Sequence, residues 1–458
     1  MKRFPLALGL SVSFVVAPPA TADMTVWSMP DGLVRSYAWV GREVPVWGRV
    51  AGGAPPYRYD WEFGDGSPRA SGTVSDPNHI LVPHTYQAAG TYVARLTVTD
   101  SSGESAAAVV RLRVVPTPTR REQVNAAIQD GLRYLHLNQN ANGSWSAGPY
   151  GGGSYVGGTG MAVLAFEEQG YRVRDGGIYA DAVQAGLDFI FSMARVVPVD
   201  AQSDAYNGNG LGCGFYTNTS GDLRHSYEAG IAMMAIVASG TPEAVIGTGP
   251  LAGETYRYAI EEAVDWCAWA QNDSGSARGG WRYTANCGSS DNSVTQWPAI
   301  GLEAAETAWG ISAPAFVKER LVAWLAYSQN ANGGFGYETA WKPNFPLSAG
   351  ALCAFGYADV PATDARVRKV LDYFRAHWDA VGYDGNKQNM YAMYGFAKGA
   401  RISEPPIRVL GDLEWQEDYD AYLLGKQRYS LSGGSSWSAE HQYISDSPPH
   451  FGTALALL

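Results

Sequence analysis

Gly131-Leu132-Arg133-Tyr134-Leu135-His136-Leu137-Asn138-Gln139-Asn140-Ala141-Asn142-Gly143-Ser144-Trp145 is the stretch on which the fold turns. It reads as the last turns of a helix, a glutamine at the helix end, and a Gly-Ser-Trp hairpin. Variants of it return downstream, and an internal period of this kind marks a repeat architecture. Gln139, Gln271, Gln329 and Gln427 each have an aromatic residue five positions earlier: Tyr134, Trp266, Trp324 and Tyr422. Each is followed by a glycine-led aromatic: Trp145, Trp281, Phe335 and Trp437. Weaker copies run from Leu187 to Tyr216 and from Leu371 to Gly385. Together these define six units between Arg121 and Leu458.

Two kinds of helix alternate in the units. The first is amphipathic: Val124, Ala127, Ile128, Leu132 and Leu135 fall at helical spacing, away from Arg121, Glu122 and Asp130. The second is apolar all round and rich in small residues, as in 160–166, 229–237 and 349–355. A helix apolar on every side must be buried on every side. Six half-buried and six buried helices suit two concentric rings around a cavity.

Gln139-x3-Gly143-x-Trp145 resembles the glutamine–tryptophan motif of squalene and hopene cyclases. The region resembles the α/α-toroid superfamily that also contains protein prenyltransferase β subunits. It covers about three quarters of the chain. Only the first copy fits the motif fully. Phe335 replaces the tryptophan in one copy, and Gln271 and Gln427 have longer spacers. The resemblance implies an (α/α)6 toroid and leaves the reaction open. The amides and indoles read first as helix-end caps.

Residues 1–22 read as a signal peptide: Lys2 and Arg3, an apolar run from Phe4 to Val16, and the small-x-small site Ala20-Thr21-Ala22. The expectation is an exported protein, secreted or in the periplasm or cell envelope, with no membrane span. Loss of Lys2 and Arg3 moves the formal charge from −11 to −13. An acidic chain without a Lys/Arg cluster argues against nucleic acids and anionic membranes as partners.

Residues 33–115 read as all-β. Strand alternation at 92–99 and 110–114 is separated by turn clusters at 52–56, 64–68 and 100–103. Trp61-Glu62-Phe63-Gly64-Asp65-Gly66-Ser67, with His84-Thr85-Tyr86 and Ala89-Gly90-Thr91-Tyr92, resembles the PKD domain, an immunoglobulin-like sandwich. Asp65 reads as a turn former in that hairpin. Residues 116–120, which include Pro116-Thr117-Pro118-Thr119, form a short stiff linker before the toroid at 121–458.

In such a toroid, function belongs to the loops that lead into the inner helices: 142–158, 200–225, 273–293, 333–346, 383–389 and 433–450. The Asp-rich acid of squalene-type cyclases is missing. Glu417-Asp418-Tyr419-Asp420 falls on an outer helix. His450 resembles the zinc histidine of prenyltransferases, but its Cys and Asp partners are absent, so no metal or cofactor is implied. Gly212-Cys213-Gly214-Phe215 begins like a thioester motif and then departs from it.

The mouth acids and histidines are Asp222, His225, Glu228, Asp291, Glu338, Asp384, Glu440, Asp446 and His450. Glycoside hydrolysis needs two carboxyl groups about 5 to 9.5 Å apart, and a polysaccharide lyase needs a base beside a uronate. His225 with Glu228, then Asp446 with His450, are the first candidates for catalysis. Trp281, Tyr283, Trp297, Tyr337, Trp341, Tyr391, Trp437 and Tyr443 are candidates to stack on sugar rings. Cys213 and Cys287, in loops of adjacent units, are the pair chosen for a disulfide, with Cys267 and Cys353 as buried thiols.

Three functions remain open. The first is a protein that binds or processes an extracellular polymer or lipid, a polysaccharide above all. The second is a non-catalytic envelope or adhesion scaffold. The third is an isoprenoid cyclase-like enzyme, kept by the motif alone.

Overall fold

The computed structural model describes residues 23–29, 37–146, 155–199, 209–217, 223–438 and 449–458. The signal-peptide residues, Asp222, Glu440, Tyr443 and the candidate Asp446 lie outside the described residues. Eight strands come first: β1 (Thr25–Met29), β2 (Tyr37–Trp39), β3 (Glu43–Ala51), β4 (Tyr57–Glu62), β5 (Ala70–Val74), β6 (Ile80–Thr85), β7 (Gly90–Thr99) and β8 (Ser105–Val115). They form two sheets, β1-β3-β6 and β2-β8-β7-β4-β5, antiparallel except where β2 runs parallel to β8. Inward residues Val46, Trp61, Tyr86, Leu96 and Val98 fill the space between the sheets. Asp65 closes its own turn by accepting from the Ser67 amide at 3.0 Å, and its other oxygen meets His84 Nε2 at 2.8 Å.

Twelve helices follow among the described residues. The outer set is α1 (Arg120–Leu137), α3 (Ala180–Ser192), α5 (Tyr256–Ala270), α7 (Ala315–Ser328), α9 (Ala365–His377) and α11 (Trp415–Lys426). The inner set is α2 (Tyr155–Glu168), α4 (His225–Ala238), α6 (Asn292–Trp309), α8 (Phe345–Tyr357), α10 (Met390–Ile402) and α12 (His450–Leu457). A two-stranded ribbon, β9 (Ala194–Pro198) with β10 (Leu211–Phe215), extends the second unit. Each inner helix packs on the next, and α12 packs on both α10 and α2, so the ring closes. Glycine permits the close approach: a Cβ on Gly230 of α4 would sit 2.2 Å from the Trp297 carbonyl oxygen of α6. Unit six also closes on unit one, where the Ser435 amide donates to the Asp130 carbonyl of α1 at 3.0 Å.

The repeated motif proves to be a set of staples. Gln139 Nε2 donates to the carbonyls of Gly143 (2.9 Å) and Ala182 (2.8 Å), the latter on the next outer helix. Gln271 does the same to Gly279 and Val317, and Gln329 to Gly333 and Arg366. The indoles cap their own outer helices: Trp145 Nε1 donates to Leu135 O, Trp281 to Cys267 O and Trp437 to Leu423 O, at 2.7–2.9 Å. A helix end leaves carbonyls without intrahelical donors, and these side chains supply them. The aromatic's own amide is caught by a hydroxyl of the following inner helix: Thr159, Thr295, Ser348 and Thr453 receive Trp145, Trp281, Phe335 and Trp437. Trp281 and Trp437 are therefore buried structural caps, which corrects their expected place in ligand binding. Trp297, buried on α6 and stacked on Tyr394 at 6.0 Å, is a core residue and is corrected likewise.

The sandwich is seated on the ring. Trp47 of β3 belongs to the toroid's hydrophobic cluster and stacks on Tyr179 at 6.0 Å, with His136 at 5.8 Å. Buried Arg49 donates to Ile178 O at 2.6 Å and to the Asp181 carboxylate, at the start of α3. Asn78 Oδ1 accepts from Arg49 Nε at 2.8 Å and faces His136 Nε2 at 3.2 Å.

Two expectations follow. Gly333 has φ +95°, and a Cβ there would lie 2.1 Å from Lys369 O. Gly333→Ala combines left-handed strain with a backbone clash, so urea unfolding is expected to show a loss of at least about 2 kcal/mol. Burial, reinforced by Arg49, pushes the His136 pKa down to about 4, against the pull of Asp181 and Asp76. The unfolded chain takes up that proton near its ordinary value, while the folded chain resists until about 4. Stability is thus full above the unfolded value and is lost as pH falls toward 4. Asp130, raised to about 6 by burial, works in the opposite direction. Comparison with His136→Gln isolates the histidine: between pH 7 and 4.5 the native chain is expected to lose about 2–3 kcal/mol more than the variant in urea melts.

Candidate ligand-binding mouth

The N-terminal ends of the inner helices open at one end of the ring. Their first amides lack intrahelical acceptors, and side chains supply them. Asp291 Oδ1 accepts from Val294 N (2.9 Å) on α6, Asn344 from Leu347 N (3.0 Å) on α8, and Asn389 from Ala392 N (3.1 Å) on α10. Helices α4 and α12 differ: Arg224 and Pro449 hold that position and make no side-chain cap.

Above these ends lies a cavity of about 1070 Å³. Its floor is built on three inner helices. Tyr227 OH and Ser293 Oγ are 2.7 Å apart, and Tyr391 OH donates to Ser293 O at 2.7 Å. One wall is Tyr283 and Tyr337, whose hydroxyls meet at 2.9 Å. Arg282 lies over both rings, at 5.4 and 5.3 Å, and pairs with Glu338 and, at 3.5 Å, with Asp291. The opposite wall includes Tyr373, which donates to Pro343 O, together with Tyr383 and Asp384, which accepts from Asn344 Nδ2 at 2.8 Å. At the rim Trp341 is 70% exposed, the most exposed large apolar side chain described. Lys342, in the left-handed region at φ +49°, places Nζ 4.2 Å over the Trp341 ring.

Electrostatics keep the phenols neutral. Burial raises Tyr227 and Tyr391 well above the ordinary phenol value, and the Asp291 charge pushes the same way; Tyr337 is raised for the same two reasons. These hydroxyls act as hydrogen-bond donors and acceptors, not as bases. Asp291 is raised by its burial, against the Ser293 and Val294 bonds and Arg282.

Of the stacking candidates, Tyr283, Tyr337, Tyr391 and Trp341 do line the mouth. The described catalytic candidates, His225, Glu228 and His450, do not line that cavity. Glu228 is buried and accepts from Thr217 N (2.7 Å) and Oγ1 (2.9 Å), which ties the end of β10 to α4. His225 stacks on Tyr216 at 3.7 Å. His450 is buried near Tyr134, and burial pushes it down to about 4. The disulfide is also corrected. Buried Cys213 turns its thiol toward Gly214 O, Cys287 lies exposed in a turn, and all four cysteines are free. Among the described residues, no three His, Cys, Asp or Glu side chains are placed to hold a metal. No described helix is long and apolar enough to cross a membrane.

Sequence reasoning missed Tyr227, Ser293, Tyr373 and the Arg282–Glu338 clasp. The hydroxyl positions Thr159, Thr295, Ser348 and Thr453 had a legible signal, since each follows its motif aromatic by 13 to 16 residues.

The capping roles generate a test. Asparagine caps α8 and α10, so Asp291→Asn is expected to change stability by less than about 0.5 kcal/mol, whereas Asp291→Ala costs about 1–2 kcal/mol in denaturant melts.

The family model for the PKD domain matches residues 45–114. No curated protein matches the sequence. A family 76 glycoside hydrolase from a bovine Bacteroides thetaiotaomicron strain is similar at 10% identity and a TM-score of 0.48, over 95% of this chain and 97% of that one. The type II terpene cyclase MstE from Scytonema is similar at 13% identity and 0.45, over 74% and 97%. Candida albicans protein geranylgeranyltransferase-I is similar at 10% identity and 0.43, over 66% and 82%. From its sheets, its closed double ring and the residues matched, the chain is a PKD domain followed by an α/α-toroid.

Proposed function

We propose that the mouth of the toroid binds a polysaccharide chain, and that the protein does so after export. The observation that carries this reading is the cavity itself. Its wall combines partly exposed aromatic faces, Trp341, Tyr283, Tyr337 and Tyr383, with fixed neutral hydroxyls at Tyr227 and Tyr391. Sugars present CH faces to rings and hydroxyls to such groups. Lys2, Arg3, the apolar run to Val16 and Ala20-Thr21-Ala22 support export.

The reading is recognition rather than cleavage. Glycoside hydrolysis needs two carboxyl groups free to flank the bond. Among the described mouth carboxylates, Asp291 is a buried cap, Glu338 is paired with Arg282, and Asp384 is hydrogen-bonded to Asn344. An isoprenoid cyclase would need an apolar chamber deep in the ring. Below the mouth, Trp297 packs against Tyr391 and Tyr394, and all three are buried.

The experiment is calorimetric titration with a panel of polysaccharides, alongside assays for new reducing ends and unsaturated products. Binding without product is expected. Trp341→Ala is expected to weaken it by about 1–2 kcal/mol, roughly five- to thirtyfold in Kd. Product release, or binding indifferent to Trp341, would overturn the reading.

A further inference from the structure

We propose that the polymer taken by the mouth is anionic, with acid groups carried on its sugars. This rests on the binding reading above and narrows its ligand class. Residues 121–458 hold 22 Lys and Arg against 35 Asp and Glu. The side chains that line the cavity directly run against that background: among the described residues they include Arg224 and Lys342 against the carboxylate of Asp384, while Arg282, Glu338 and Asp291 pair with one another behind the tyrosine wall.

Two placements make these cations more than a chance excess. The first is Arg224. The N-terminal end of a helix is its positive pole and favours an oxygen or an anion. Helices α6, α8 and α10 answer with Asp291, Asn344 and Asn389. Helix α4 instead presents Arg224 there, and the acid of its first turn, Glu228, is buried and held by Thr217. An acid group above the start of α4 meets the Arg224 side chain, which lines the cavity beside Tyr227. The second is Lys342. It occupies a left-handed conformation that ordinary residues avoid, and strain of this kind persists where the surroundings impose it. The loop is held in place because Asn330 Nδ2 donates to Ala340 O at 2.7 Å and the Trp341 amide donates to Thr339 Oγ1 at 3.2 Å. The result presents an exposed indole and an ammonium together, 4.2 Å apart. An acidic sugar stacked on Trp341 carries its charge toward Lys342.

The test compares matched pairs by calorimetry: polygalacturonate against fully methyl-esterified pectin, and dextran sulfate against dextran. The first pair reads carboxylates and the second sulfates, on backbones otherwise alike. At least one acidic polymer is expected to bind roughly tenfold or more tighter than its neutral partner, with affinity falling as salt is raised. Lys342→Gln and Arg224→Gln are each expected to erase most of that preference. Lys342 lies at the rim, so its variant serves if the α4 variant fails to fold. Arg111→Gln is the control, on the exposed sheet face of the sandwich. Neutral and acidic members binding equally, with Trp341→Ala still weakening both, would overturn this inference and leave the binding reading standing. Loss of polyanion binding in Arg111→Gln but not in Lys342→Gln would also overturn it, by moving the site to the sandwich. No binding to any polymer would overturn the binding reading itself.

Discussion

The ring depends on how its helix ends are satisfied. Twelve helices laid side by side expose carbonyls and amides at both ends, in places where water is excluded. The repeated glutamine, indole and hydroxyl answer this within each unit and across to the next. Gln271 reaches one carbonyl in its own hairpin and one on α7, so it joins two units in a single side chain. Trp281 caps α5 while its amide is held by Thr295 of α6. Closure is the sum of these local bonds. The contacts of Gly434 and Ser435 with α1 bring the last unit back to the first.

The same accounting places the mouth. Caps at Asp291, Asn344 and Asn389 fix where these inner helices begin, and residues of their first turns are thereby aimed into the opening. Ser293 stands two residues after one cap and Tyr391 two after another, and together with Tyr227 they form the floor. At the opposite end, arginines take the converse role: Arg172, Arg174 and Arg257 donate to the carbonyls of Ala238, Gly240 and Trp309. Cations suit that end, because the dipole at a helix C-terminus favours positive charge.

Most of the architecture was legible because it is written in a period. Gln139, Trp145 and their copies recur, and glycine-rich apolar helices can only be inner ones. The PKD region was equally plain from Trp61 to Ser67 and from His84 to Tyr86. The mouth was harder. Trp281 and Tyr283 lie two residues apart, yet one is a buried cap and the other a wall of the cavity. No composition rule separates them, because the difference comes from which way a hairpin turns. Glu228 and His225 looked like a catalytic pair from spacing along α4. Their partners, Thr217 and Tyr216, come from the end of the β9–β10 ribbon, whose pairing the local pattern does not announce. The Arg282–Glu338 clasp joins two units and was invisible for the same reason.

The seating of Trp47 and Arg49 on α1 and α3 bears on how the molecule would meet a surface. A module joined by a Pro-Thr tether alone would swivel. Here the aromatic plug, the guanidinium gripping Asp181 and the shared Asn78 lock it to the ring. Anything that holds the β-module therefore also sets the bearing of the opening, as a bracket sets the angle of a lamp.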